Sequence, residues 1–117
     1  MTVKTTKDVH PVLQWDERTF QKMVVDAARL LGYRQIYHTH NSKRSQPGFP
    51  DLVLVSTARK RTLFVELKTM TGKVSPYQEE WIGALREAGQ EAVILRPSDW
   101  RSRRVHAILS GEEVLCA

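Results

Sequence analysis

A chain of 117 residues is long enough for one hydrophobic core and too short for a second, separately folded domain. Its 18 Lys and Arg against 13 Asp and Glu give a formal charge of +5, which favours a polyanionic partner but also describes a solvated basic surface. The single cysteine, Cys116, excludes an internal disulfide, no apolar run approaches the ~18 residues that span a bilayer, and residues 1–12 lack the apolar block of a signal peptide, so a cytoplasmic location is expected.

Residues 1–12 mix Thr, Lys and Asp without periodicity and read as a flexible arm ahead of a single domain over 13–117. Asp16 has the position of an N-cap for a helix over 17–31, with Trp15 and Phe20 spaced as a hydrophobic staple and Gly32 as the left-handed stop. Phe20, Val24, Ala27 and Leu31 form its buried stripe, and Glu17 continues that stripe towards the sheet. A strand is expected over 33–39, then a polar loop over 40–50 ending in Pro47-Gly48-Phe49-Pro50. His38 and His40 share one strand face, but two histidines lack the further ligands of a zinc site.

The runs Asp51-Leu52-Val53-Leu54-Val55 and Leu63-Phe64-Val65-Glu66-Leu67, with a polar stretch between them, predict a β-hairpin. A turn centred near Ala58 and Arg59 pairs residues whose numbers sum to about 117, which sets Asp51 across from Glu66. Like charges facing each other repel, so the pairing points to a cation, and two hard oxygen donors favour Mg²⁺ or Mn²⁺. The period of two keeps Glu66 and Lys68 on one face and sends Val65 and Leu67 to the other. The lysine then stands beside the metal.

Ser75-Pro76-Tyr77-Gln78 supplies an N-cap, a proline at the first helical position and a glutamine three residues after the cap. The helix it starts runs over 76–88 to Gly89, with Gln78, Trp81, Leu85 and Ala88 along its buried stripe. A fourth strand over 92–95 ends before Pro97, and Ser98 caps a basic helix reaching about residue 109. The fold class is α/β: a mixed sheet with flanking helices in the order αβββαβ plus a C-terminal helix, the last two strands parallel across the helical crossover.

The ordered set Gly48-Phe49-Pro50-Asp51-Leu52, Val65-Glu66-Leu67-Lys68, Ser75-Pro76-Tyr77-Gln78-Glu79-Glu80-Trp81 and Leu85-Arg86-Glu87-Ala88-Gly89 resembles the VRR-NUC branch of the PD-(D/E)xK nuclease superfamily. The resemblance implies a restriction-endonuclease-like core and a Mg²⁺-dependent DNA endonuclease in which Mn²⁺ can substitute. Asp51, Glu66 and the backbone carbonyl of Leu67 then hold the metal, and Lys68 acts on the attacking water or the phosphate. It places Gln78 at the active site, a role that coexists with capping, and gives Glu17 a path to the metal directly or through water. Tyr77 accompanies Gln78 at the matched helix position and is expected to contact the DNA. Small stand-alone members resemble phage and bacterial enzymes that act as homodimers on four-way junctions, so branched duplex DNA and a second copy are the expected partners. Val9, Val12, Leu13, Val114 and Leu115 are candidates for the dimer interface or for packing within one chain.

Among basic residues, Lys43, Arg44 and Lys73 flank the carboxylate end and are expected to hold phosphates, with Gly48 letting the backbone approach closely. Arg59, Lys60 and Arg61 sit at the hairpin tip, roughly 15–20 Å from Asp51 at ~3.3 Å per residue, and are expected to touch only distal DNA. Arg101, Arg103 and Arg104 are left open, and no aromatic row suggests single-strand stacking. The competing reading is a DNA-binding or assembly module with a nuclease fold that does not cleave, against which the intact Asp51, Glu66 and Lys68 argue. A flap or nicking nuclease is a further alternative.

Overall fold

The computed structural model describes residues 10–40 and 46–115. Four strands form one mixed sheet in chain order: β1 (Gln35–His38), β2 (Leu52–Ser56), β3 (Arg61–Leu67) and β4 (Glu91–Leu95). The first three are antiparallel neighbours, while β3 and β4 are parallel because α2 (Pro76–Glu87) carries the chain back between them. Strand alternation then divides the residues. Leu52, Leu54, Leu63, Val65 and Leu67 are buried in a core shared with Phe20, Val24 and Ala28 of α1 (Glu17–Leu30). The opposite face carries Phe64 and Glu66 and is covered by Phe49 and α2.

The helix signals at Asp16, Gly32, Ser75 and Gly89 act as expected. Asp16 accepts a hydrogen bond from the Thr19 amide at 2.7 Å, which holds its carboxyl below the usual range. Both long helices close in a Schellman arrangement: Gly32 donates to Arg29 and Tyr33 to Ala28, and Gly89 donates to Arg86 and Gln90 to Leu85. The hairpin has the expected register, with Leu52 opposite Val65 and Ser56 opposite Arg61.

Several expectations need correction. The first strand is shorter than residues 33–39 because Tyr33 is drawn wholly into the core, where its hydroxyl donates to the Leu109 carbonyl. The C-terminal helix is two helices, α3 (Pro97–Arg101) and α4 (Arg104–Ser110), separated by Arg103 in the left-handed region at φ +68°. Asp99 takes the Arg96 amide, so Arg96 and not Ser98 occupies the cap of α3. On α2 the buried residue is Ile82, while Trp81 and Leu85 are half-buried and Ala88 is exposed. Phe49 fills the space between Phe64 and Trp81, with ring centroids at 6.2 and 5.0 Å, so Trp81 packs on the loop rather than on the sheet.

Within the expected arm Pro11–Gln14 forms a 3-10 turn packed on α3, and Trp15 lies between Phe20 and Trp100, edge-on to the latter. Val12 and Leu13 are half-buried there, and Leu115 packs on the core, which leaves Val114 exposed among the described interface candidates. Val9 lies outside the described residues.

The basic hairpin tip is mostly structural. Arg59 donates to the Leu31 and Ser110 carbonyls, and Arg61 makes a two-pronged pair with Glu91 at 2.7 and 2.8 Å while also reaching Tyr33 and Ile108. Only Lys60 of the three is exposed. Both members of the Arg61–Glu91 pair are about nine-tenths buried, so removing one leaves a charge without a partner. Arg61→Ala is therefore expected to cost about 3–5 kcal/mol in urea unfolding, whereas Lys60→Ala stays within about 0.5 kcal/mol. Glu91 is held below its usual carboxyl range mainly by Arg61, so the pair stabilises above that range and its contribution is lost as pH falls. A loss under about 1 kcal/mol for Arg61→Ala would show that water replaces the pair.

Candidate active site

The hairpin register brings Asp51, just before β2, to the end of β3 that carries Glu66, Leu67 and Lys68. Asp51 is fixed on both sides. Its Oδ2 accepts the Leu67 amide at 2.9 Å, its own carbonyl accepts the Thr39 amide at 2.8 Å, and the Thr39 hydroxyl donates to the Pro50 carbonyl at 2.7 Å. The end of the edge strand β1 thus pins the Pro50-Asp51 turn.

Glu66 is 1% exposed. Its Oε2 accepts a hydrogen bond from Gln78 Nε2 at 2.8 Å and lies 3.6 Å from Lys68 Nζ, while Oε1 is buried without a hydrogen-bond partner. Burial first, and then the neighbouring Asp51 carboxylate, push the Glu66 carboxyl up to about 8, against the opposing pull of Lys68. A buried carboxylate oxygen with no partner is costly, and a second carboxylate beside it adds to that cost. Both features fit a hard divalent cation, which would supply the missing partner and neutralise the repulsion.

Gln78 reaches Glu66 from the first turn of α2 while completing the cap of that helix. The Gln78 amide donates to Ser75 Oγ at 3.2 Å, and the Ser75 amide donates to Gln78 Oε1 at 2.9 Å, which leaves Nε2 free for Glu66. Capping and site roles are carried by opposite ends of one side-chain amide.

Glu17 is exposed at the start of α1, yet its carboxyl is raised by partial burial and by Asp51 and lowered by Lys68, which sets it within electrostatic range of both. No three His, Cys, Asp or Glu side chains among the described residues converge closely enough to hold a metal ion. Gly48 has φ +91°, and a Cβ there would lie 2.4 Å from the Tyr77 carbonyl carbon. The close approach it permits is that of the α2 backbone. Lys73 and Tyr77 are exposed beside this end of the sheet, and Lys43 and Arg44 lie outside the described residues. Arg101 and Arg103 are exposed, and Arg104 is paired with Glu113 and Asp99.

Two contributors escape a sequence reading. Thr39 pins Asp51, and Arg96 donates to the Thr69 and Gly72 carbonyls at 2.6 and 2.7 Å, holding the loop that follows Lys68. A threonine at a strand end and an arginine before a proline are too common to signal these contacts.

The family model described as the VRR-NUC domain matches residues 2–99. A solved structure described as a VRR_NUC domain protein has 22% sequence identity to this chain, covers 81% of it and 90% of its own length, and superposes with a TM-score of 0.59, a likeness of fold. Among curated proteins the sequence finds no match.

The raised Glu66 carboxyl has a consequence for the metal-free protein. A carboxyl whose pKa is higher folded than unfolded contributes stability below about 4.5 that is lost as pH rises towards about 8. In EDTA the parent chain is expected to lose stability between pH 5 and 8, and Glu66→Gln, which accepts the same Gln78 bond without ionising, to be the more stable protein at pH 8 by roughly 2–4 kcal/mol. Urea unfolding at the two pH values measures this. Identical pH dependence in the two proteins would mean that Glu66 is ionised in the fold across that range.

Proposed function

The chain belongs to the VRR-NUC family of nuclease domains, and from that membership and the buried, half-satisfied Glu66 carboxylate we propose a Mg²⁺-dependent endonuclease that hydrolyses DNA phosphodiester bonds. The observation that carries the reading is Glu66 Oε1, buried without a partner beside Asp51 at the end of the hairpin. In this reading Asp51, Glu66 and the Leu67 carbonyl hold Mg²⁺, with Mn²⁺ as a substitute, and Glu17, exposed at the start of α1 and within electrostatic range of Asp51, joins directly or through water. The metal supplies charge neutralisation at the phosphate and a more acidic bound water.

The chain's own side chains do the rest. Lys68, mostly buried and 3.6 Å from Glu66, offers a cation with few competing waters, suited to orienting the attacking water or stabilising the crowded phosphate. Gln78 holds Glu66 in one orientation, so the carboxylate needs no rearrangement to receive the cation. Asp51 fixes the Leu67 amide and with it the backbone that would offer the Leu67 carbonyl. Lys73, exposed beside this end of the sheet, is the described residue best placed to hold a flanking phosphate, and Lys43 and Arg44 are assigned the same role. The substrate we infer is branched duplex DNA such as a four-way junction, since so small a domain has little surface for reading bases and depends on backbone charge and shape. Cutting two related strands with one site per chain calls for a two-fold homodimer. Leu30 at the end of α1 and Tyr37 on the edge strand β1 are large apolar side chains exposed at 87% and 61% and, with Val114, are available to such an interface.

Asp51→Asn and Glu66→Gln are expected to abolish Mg²⁺-dependent cleavage of four-way-junction DNA while DNA binding in Ca²⁺ survives. Lys68→Ala should keep metal affinity and lose about 10²–10³ in rate, and Lys73→Ala should weaken binding and shallow the slope of log affinity against log salt by ~0.9. Undiminished turnover in either carboxylate variant removes the metal assignment and favours a DNA-binding module without cleavage.

Sedimentation at micromolar concentration, with and without a junction, should give a dimer bound across it. A monomer in both samples that still makes paired cuts contradicts the dimer and indicates sequential nicking.

A further inference from the structure

One face of α2 is only partly covered beside the candidate site. Tyr77, Glu80, Trp81 and Ala84 lie three and four residues apart along it and, with Gln46 and Pro47 of the facing loop, line an open groove of about 480 Å³. That volume falls within the ~300–1,000 Å³ usual for small-molecule sites. Tyr77 is 57% exposed although aromatic, and its backbone is immobilised where Gly48 packs against it. Trp81 stands edge-on to Phe49 at 5.0 Å, which itself stands edge-on to Phe64. An aromatic row absent from the linear sequence is therefore assembled in space.

We propose that this groove holds a nucleobase of the strand being cut that is unpaired or displaced at the branch point, so that the enzyme favours branched DNA in which a nucleotide beside the scissile phosphate leaves its pair. The inference rests on the nuclease reading above and names a substrate feature for the same site. Both walls lead into that site: Tyr77 immediately precedes Gln78, which is bonded to Glu66, and Pro47 lies four residues before Asp51. Four residues of chain span at most ~14 Å, so a base in the groove belongs to a nucleotide close to the reacting phosphate. Charge selects a base over the backbone. Glu80 repels a phosphate but accepts a hydrogen bond from the amino edge of cytosine, adenine or guanine, and Gln46 can donate or accept. The exposed Tyr77 ring can stack on any base, which suits an enzyme that reads DNA shape rather than sequence.

The test uses the full chain in Ca²⁺ with two DNAs, one carrying 2-aminopurine as an unpaired nucleotide at a duplex junction and the other carrying it paired within a duplex. Binding is expected to quench the unpaired probe selectively. Tyr77→Phe should preserve the quench, and Tyr77→Ala should abolish it and lower the affinity ratio of junction over paired duplex about five-fold or more. An undiminished quench in Tyr77→Ala, or equal affinity losses for both DNAs, overturns the groove assignment. Cleavage of the same DNAs by the parent chain in Mg²⁺ separates the two readings. Cleavage without a Tyr77-dependent quench removes the groove and keeps the nuclease, while the quench without cleavage does the reverse.

Discussion

Glu66 lies almost completely buried at the end of β3 with Oε2 bonded to Gln78 and with no hydrogen-bond partner for Oε1. Neighbouring Asp51 and Glu17 make its ionisation harder, and Lys68 offsets this only in part. A fold that invests in such a position contains a local destabilisation, and the surroundings show how it is maintained. Asp51 is bound to the β3 backbone through Leu67, to β1 through Thr39, and to α2 through the loop in which Gly48 packs on Tyr77. Arg96 anchors the loop leaving β3. Every element bordering the carboxylate pair is tied to another, so the two acids cannot relax apart by moving one segment.

The net charge of +5 overstates what the protein can offer a polyanion. Arg59, Arg61, Arg86 and Arg96 all donate to backbone carbonyls. Several of these carbonyls, those of Leu31, Ile108 and Ser110, lie in the final turns or just past the ends of α1 and α4, where the helix leaves carbonyls unpaired and a cation is favourable. These arginines make the fold and are only secondarily surface charge. The exposed cations among the described residues include Lys60, Lys73, Arg101 and Arg103, with Arg18 and Arg29 on α1 and Arg34 just after it. The positive end of the hairpin is thereby bolted to the C-terminal helices, and its carboxylate end is left as the chemically open end of the sheet.

The local rules written into the chain were sufficient for the framework. Caps at Asp16 and Ser75, stops at Gly32 and Gly89, and the hairpin pairing of Leu52 with Val65 each depend on a few adjacent residues or on one turn. The juxtaposition of Asp51 with Glu66 follows from that register, and so it was legible too. What was not legible depends on distant partners. Arg59 and Arg61 look like a solvated tip until α1, α4 and Glu91 supply their acceptors 28 to 51 residues away. The break at Arg103 and the burial of Tyr33 answer to the same distant packing, and the aromatic row of Trp81, Phe49 and Phe64 joins three separate segments.

Gln78 shows how the local and distant constraints meet in one residue type. A capping box accepts glutamate or glutamine at its third helical position with little difference, because only a side-chain oxygen is required to take the cap amide. Here that oxygen accepts from Ser75, and the nitrogen on the same carbon donates to Glu66. Glutamate would keep the helix start and set a further negative charge against a carboxylate already pressed by Asp51 and Glu17. Alanine would lose both bonds. Glutamine alone satisfies the helix and the acid together, so the start of α2 and the orientation of Glu66 are one structural decision, and the groove that begins at Tyr77 inherits its position from it.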